Sequence, residues 1–426
     1  MFLTGKNPNK YRVLFGIFFL LILTGIVFAD DTTMDDHKNI ILYGLFPTSG
    51  PLTSQGEVAL AAFELGISDI NTYLLSIGSD ITVIPHIEKM SSETESAIEK
   101  VIKLDDGGAG AIITYLSSYQ ADAVADYCKS HGIMLYATGA DSPLLAIPED
   151  NLIRMNSGDL IQADVIAKLF SEKKLTRIIP IIRDDSWGGG LINAVSHSLG
   201  NNIIMDEGIR YKPDSTDYSK YVSELDHKLG EILSSVPSEE IAIYAVTGRE
   251  IQAIMTEAEK DEYENLARVR WFGCNENALL PELTGTSKPA QFAGSLTLTS
   301  VTLDSEPEVR NERVFRELHL KFGKNNPDGH ALATYDTTWI VFKAHAMDGF
   351  TDSTSVDFAV QKMAEQHAGI SGDFKINENG DRYTGIYYIW ELSKGNDGSD
   401  WNMVAYTNIR NDSKKPENIE LSILNQ

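Results

Sequence analysis

Cysteine is nearly absent. Cys128 and Cys274 are the only two in 426 residues, too few for a disulfide framework. Both read as small buried side chains. Positive charge is also scarce: Lys and Arg number 36 against 61 Asp and Glu, for a net charge of −25. Such a chain repels nucleic-acid phosphates and anionic headgroups, so no nucleic-acid partner is expected. The acids are scattered, which points to solubility rather than to an acidic docking face. Catalytic motifs are missing. There is no Gly-x-Ser-x-Gly elbow for a serine hydrolase. The nine histidines show no His-Glu-x-x-His spacing and no Cys pair suits zinc. Gly107-Gly108-Ala109-Gly110 precedes a strand and lacks the lysine of a phosphate loop. Gly188-Gly189-Gly190 opens a helix without the dinucleotide fingerprint. Lys375–Asp381 lacks the first acid and the closing glutamate of a calcium loop. Asp184 and Asp185 are adjacent on a strand end and point to different faces. The expectation is therefore a protein that is not an enzyme, with no cofactor and no metal.

Long apolar runs are limited to the N-terminus, which excludes a multispanning protein. Lys6, Lys10 and Arg12 precede the uncharged run Val13–Phe28, followed by Ala29 and Asp30. That order suits a signal peptide over residues 1–29. An uncleaved N-terminal anchor is the alternative, because the run approaches the length of a membrane span. Either implies export, to the periplasm or the outer face of the cytoplasmic membrane. No cysteine follows the run to carry a lipid.

After residue 38 the apolar pattern alternates between two periods. Strands are predicted at Ile40–Phe46, Ile81–Ile87, Ala111–Tyr115, Ile133–Ala137, Arg177–Ile182, Ile241–Val246 and Val269–Phe272. Helices are predicted from about Gln55, and at Glu93–Leu104, Tyr119–His131, Leu160–Glu172, Leu191–Leu199 and Glu250–Ala258. This alternation is the mark of an α/β protein with doubly wound parallel sheets. Ile178–Ile182 is the kind of run that a strand buried on both faces requires. At this length two lobes are expected. Asp214–Asp217 and Ser393–Asp400 read as surface loops, and Asn379-Gly380 as a turn.

Three segments resemble one family. The first is Ile41–Asn71, with its apolar-Pro-x-Ser-Gly-Pro loop and the Gly56-Glu57 pair that opens a helix. The second is Gly110–Pro143, a buried strand ending in Ser117-Ser118, then a helix, a strand and a small-residue loop ending in Ser-Pro. The third is Arg183-Asp184-Asp185-Ser186-Trp187-Gly188. Together they resemble the leucine/isoleucine/valine-binding proteins, the solute receptors of ABC importers with the type I periplasmic-binding fold. The resemblance implies two doubly wound lobes joined by a hinge. Lobe one would span 38–158 plus 290–372, and lobe two 159–289 plus 373–426. It also identifies Asp373–Glu391 as a C-terminal hairpin.

The site follows from the same resemblance. A strand end feeding a helix offers free N–H groups and a positive dipole end. Ser117 and Ser118 match the positions that hold the ligand's α-carboxylate; Ser118 could instead be only a helix N-cap. Ala137, Gly139 and Asp141 match the second binding turn. Relatives commonly carry Thr or Ser where Asp141 stands. An aspartate suits an ammonium group, or a cationic, polyamine-like ligand; Asp141 or Ser142 could equally cap a short helix starting at Pro143. Trp187 matches an aromatic that covers the ligand, and could equally be a partly buried core residue. Thr247, Asn275 and Glu276 match pocket positions after two strands, the last two an amine partner; turn chemistry is their alternative. Ser49 and Gln55 could edge the pocket. Ala331 matches a position that can be aromatic, and Asp336 reads as structural.

The expected function is an extracytoplasmic solute-binding protein of an ABC importer. It would bind an amino acid, branched-chain or a similar zwitterion, between its lobes, and deliver it to a membrane permease. Alternatives are a sensory ectodomain anchored by the N-terminal helix, a receptor for an amide or urea, and an enzyme on the same fold class.

Overall fold

The computed structural model describes residues 39–304, 313–322, 329–347, 353–409 and 419–424; the expected signal or anchor segment 1–29 lies outside these residues. In chain order the strands are β1 (Asn39–Ser49), β2 (Thr82–Ser91), β3 (Ala111–Thr114), β4 (Met134–Ala137), β5 (Leu152–Ser157), β6 (Arg177–Arg183), β7 (Ile204–Met205), β8 (Ile209–Tyr211), β9 (Ile241–Val246), β10 (Arg270–Gly273) and β11 (Thr299–Asp304). They continue with β12 (Ala368–Gly369), β13 (Gly372–Asp373), β14 (Asp381–Arg382), β15 (Gly385–Gly395), β16 (Gly398–Ile409) and β17 (Ser422–Ile423).

The strands form two main sheets. The first has the order β14-β5-β4-β3-β1-β2, all parallel. The second runs β17-β16-β15-β11-β10-β9-β6-β7, parallel from β11 to β7, with β8 also beside β6. β15 and β16 add to it as an antiparallel hairpin. Both sheets are covered on two faces. Ile178 and Ile182 of β6 pack into one apolar cluster, while Ile179 and Ile181 pack into another. β4 divides in the same way, with Met134 and Tyr136 on one side and Leu135 and Ala137 on the other. Parallel sheets need helices on both faces, and the uninterrupted apolar runs of these strands follow from that. The seven predicted strands and six predicted helices are all present, with ends shifted by a few residues.

The first loop shows how local chemistry sets the geometry. β1 continues past Phe46, and Ser49 still pairs with Ser91. Gly50 then takes φ +86, a value that glycine adopts freely, and the Thr53–Ser76 helix begins. A Cβ on Gly56 would lie 1.9 Å from the Pro47 carbonyl oxygen. The absent side chain therefore lets the helix close on the strand. Thr53–Ser76 is also, among the described residues, the one helix long and apolar enough to cross a membrane. Its Phe63, Ile67, Ile70 and Leu74 are buried in the core of the first sheet, so here it is a core helix.

Two segments depart from the expected lobe boundaries. The resemblance assigns residues 290–372 to lobe one, yet β11 hydrogen-bonds to β10 and β15 of the second sheet. It assigns residues 373–426 to lobe two, yet β14 hydrogen-bonds to β5 of the first. Backbone pairing decides both, because a buried strand must satisfy its N–H and C=O groups. The chain thus crosses between the sheets at Gly158, after Asp304, and between Arg382 and Gly385. The first and last crossings touch: Ser157 Oγ donates to the Thr384 carbonyl. The C-terminal hairpin is modified accordingly. Its turn lies at Asn377–Asp381 with Gly380 at φ +76, and the outgoing strand starts only after the crossing. The loop expected at Ser393–Asp400 shrinks to a tight turn between Gly395 and Gly398.

Both cysteines are fully buried and free. Burial pushes the Cys128 thiol up to about 12, and the Cys274 thiol also upward.

Candidate functional site

In open α/β sheets, ligands sit outside the carboxyl ends of the strands, where the strand order reverses. In the first sheet the reversal falls between β1 and β3, and in the second between β6 and β9. A cavity of about 200 Å³ lies between the two halves. Ser54, Gln55, Val58, Tyr115 and His330 form its wall on the first side. Arg249, Asn275, Glu276, Leu280, Thr302 and Leu303 face them from the second. Its size suits a small solute rather than a drug-sized molecule.

Asn275 and Glu276 follow β10 and line this cavity, as does Gln55. Asn275 is fixed by Gln162: its backbone N–H donates to Gln162 Oε1 at 2.7 Å, and Gln162 Nε2 donates to its Oδ1 at 3.2 Å. Thr247 is fully buried and does not reach the cavity. Its carbonyl and hydroxyl accept from Asn277 Nδ2 at 2.6 and 3.0 Å, and its carbonyl also accepts from Cys274 Sγ at 3.3 Å.

The serine pair divides its roles. Ser117, not Ser118, is the cap of the Ser118–His131 helix. Its N–H and Oγ both donate to Gln120 Oε1 at 3.1 Å. Ser118 is buried, and its Oγ accepts from Asp141 N at 3.1 Å and from Ser142 N at 3.0 Å. The hydroxyl thus occupies two backbone donors of the Ala137–Ser142 turn. Ser142, rather than Asp141, caps the short helix at Pro143. Ala137 is fully buried. Gly139 sits where a Cβ would lie 2.8 Å from the Leu116 carbonyl oxygen. Trp187 packs, partly buried, against the apolar cluster of the second sheet. None of Ser117, Ser118, Ala137, Gly139, Asp141 and Trp187 lines the cavity. The two halves meet beside them, where Ser142 Oγ donates to the Ser186 carbonyl at 3.2 Å.

Asp141 is 6% exposed and lies immediately behind the cavity. Its Oδ2 is 3.7 Å from His330 Nε2, and its Oδ1 accepts from Asn156. Its carbonyl oxygen accepts from Asp159 N at 3.0 Å. Asp159 opens the Asp159–Glu172 helix and is 1% exposed. Burial, then the charge of Asp141, and less strongly that of Glu276, raise its carboxyl well above the usual carboxylate range; a hydrogen bond from Gln162 opposes them. Asp159, His330, Tyr115 and Gln162 carry no motif in the sequence. An aspartate just after a strand end is the available signal, but Arg154 and Asn156 break the apolar run of that strand, β5. Of the other positions considered, Ser49 is exposed and Ala331 is 2% exposed. Asp336 is structural: it accepts from Ile370 N, Ser371 N, Ser371 Oγ and His367 Nε2.

A small cavity between two doubly wound halves, at the carboxyl ends of both sheets, defines a bilobed ligand-binding protein. Three solved structures share the fold. They are an ABC transporter substrate-binding protein from Sphaerobacter thermophilus (18% identity, TM-score 0.68, 89% of this chain and 100% of that one), a type 1 periplasmic binding protein from Bordetella pertussis (17%, 0.67, 86% and 100%), and the branched-chain amino acid transporter substrate-binding protein LivJ from Streptococcus pneumoniae, solved with isoleucine (17%, 0.60, 86% and 99%). An uncharacterized protein of Methanocaldococcus jannaschii is 23% identical over 413 residues, 92% of this chain and 95% of its own length. Residues 58–395 match the receptor family ligand binding region, and the chain belongs to that family.

Proposed function

We propose that the protein is an extracytoplasmic solute receptor that captures an amino acid or similar small zwitterion between its lobes and passes it to a membrane ABC permease. The observation that carries this reading is the cavity walled by both halves, with Asn275 and Glu276 on one side and Tyr115 and His330 on the other. Glu276 is suited to an ammonium group, because a charge-assisted hydrogen bond in a dry site is strong. Val58, Leu280 and Leu303 offer apolar surface to an aliphatic side chain. The carboxylate would be met by Arg249 on the cavity wall. Trp187, at the start of the Ser186–Ser198 helix, would move with the second lobe as the hinge between the crossings closes. Export through the N-terminal segment fits this role. The solved relatives named as transporter components support it, and binding rather than turnover is the shared property.

Ligand binding to the folded state alone stabilises by mass action, about 2.7 kcal/mol at a hundredfold excess over Kd. A thermal-shift screen of the twenty amino acids and of simple amides and ureas tests the reading. We expect a concentration-dependent rise in Tm with at least one amino acid, abolished by Glu276→Ala. A rise only with amides or ureas would replace the amino-acid assignment. Catalytic consumption of a stabilising compound would replace the receptor reading with an enzyme.

A further inference from the structure

Two carboxamides line the cavity from opposite halves. Gln55 stands on the first wall, in the opening turn of the Thr53–Ser76 helix, and Asn275 on the second, just after β10. We propose that this pair reads a carboxamide carried by the ligand, so that the preferred solute is an amino acid with an amide side chain, glutamine or asparagine, rather than an aliphatic one. The proposal rests on the receptor reading and narrows its ligand class.

The orientation of Asn275 is dictated by its neighbours. Its backbone N–H can only donate, so Gln162 turns Oε1 toward it, at 2.7 Å. Gln162 Nε2 is then the end that reaches Asp159 Oδ1 and, at 3.2 Å, the Asn275 side chain. An amide nitrogen can only donate, so the Asn275 atom that meets it is the oxygen. Nδ2 is thereby the free end of the side chain, and it makes no hydrogen bond to any described residue. Asn275 is only partly buried and lines the cavity, so its two N–H groups are open to a ligand.

Gln55 is the complement on the other wall. Its Oε1 is closed off from solvent, yet it has no hydrogen-bond donor among the described residues. Buried acceptors are rarely left so, and each calls for an explanation. The carboxamide turns about a single soft bond. A donor delivered into the cavity therefore pairs with Oε1 after a rotation of that end alone.

The charged groups of a zwitterion do not meet both needs. Its ammonium, matched with Glu276, is a donor only. Its carboxylate, matched with Arg249, is an acceptor only and would set an oxygen against Gln55 Oε1. An aliphatic side chain brings neither group, and closing the lobes on it would bury both amide ends without partners. A carboxamide holds a carbonyl oxygen for Asn275 Nδ2 and an N–H for Gln55 Oε1 in one planar group. Its methylene stem would lie against Val58 and Leu280. Amide side chains and free amides share this chemistry, and the experiment separates them.

Titration calorimetry of the purified protein would compare glutamine and asparagine with leucine, isoleucine, glutamate, serine, acetamide and urea. We expect glutamine or asparagine to bind about tenfold or more tightly than leucine. Glutamate, which has the shape of glutamine without its N–H, should bind more weakly than glutamine by a similar factor. Gln55→Leu should bring the glutamine-to-leucine affinity ratio close to one. The ligand-free Tm of this variant should stay at or above that of the wild type, because it no longer buries an unpaired oxygen. Asn275→Asp keeps the oxygen bonded to Gln162 and replaces the donor by a second oxygen, so it should lower the same ratio. A purely structural Gln55 would move the ligand-free Tm and leave the ratio alone. That result, or leucine binding as tightly as both amide amino acids, would overturn the inference and leave the receptor reading standing. Serine, acetamide or urea binding as tightly as glutamine would overturn it in favour of a hydroxyl or a free amide. Binding of no amino acid or amide at all would remove the receptor reading as well.

Discussion

Ser118 Oγ accepts hydrogen bonds from the backbone N–H groups of both Asp141 and Ser142, at 3.1 and 3.0 Å. One hydroxyl therefore ties the head of a helix to the turn that carries Asp141. Ser118→Ala leaves two buried amides without that acceptor, each with a desolvation penalty of about 1–3 kcal/mol. The better helix propensity of alanine recovers only about 0.5 kcal/mol. We expect urea denaturation of the ligand-free variant to show a net loss of roughly 1.5–5.5 kcal/mol, the two penalties together less the propensity gain. A midpoint identical to the wild type would mean that the turn holds itself.

Gly190 lies where the two halves touch. A Cβ there would sit 2.6 Å from Ser142 Oγ and 3.1 Å from Pro143 Cδ. Gly190→Ala should therefore hold the halves apart without harming either core. Small-angle scattering should show a larger radius of gyration with saturating ligand than the wild type gives. Affinity should fall about tenfold or more, which is roughly 1.4 kcal/mol. Unchanged affinity would show that the contact is not part of closure.

Arg154 and Asp381 form a buried pair, both at or below 5% exposure. Arg154→Met strands the Asp381 carboxylate and also frees the Ser142 carbonyl. Losing one partner of a buried pair costs about 3–5 kcal/mol. The double variant Arg154→Met with Asp381→Leu should recover much of that loss, since neither charge of the pair then remains. Equal stability of single and double variants in denaturant melts would contradict the pairing.

The Asp159 carboxyl is raised in the folded protein, by burial first and by neighbouring carboxylates second. The folded state then binds more protons than the unfolded one above the ordinary carboxylate pKa of about 3.9. Its contribution is present in full below that value and is lost as pH climbs toward the raised folded pKa. The ligand-free protein should lose stability over this window, and Asp159→Asn should flatten the loss. At pH 7 the variant should melt higher than the wild type. A lower melting temperature at pH 7 would show that an ionised Asp159 is already well compensated.

Much of the fold was readable because its strands report burial locally. Ile178–Ile182 has no solvent face, and only a two-sided sheet accepts such a run. β5 escaped notice for the opposite reason. It interleaves Arg154 and Asn156 with Ile153 and Met155, and all of these are buried. Arg154 is tolerated there because of Asp381, which no local pattern reveals. The site divides along the same line. Asn275 and Glu276 were legible at the end of a clear strand. His330 arrives on the Gly329–His345 helix from the far end of the sequence, and Asp159 sits at a crossing. Their place beside the cavity is a property of the connectivity, not of any neighbouring residue.

The partner of Arg154 lies 227 residues further along the chain. A polypeptide that emerges N-terminus first exposes an unmatched guanidinium long before Asp381 is available to it. The N-terminal lobe therefore remains incomplete until almost the entire polypeptide has emerged.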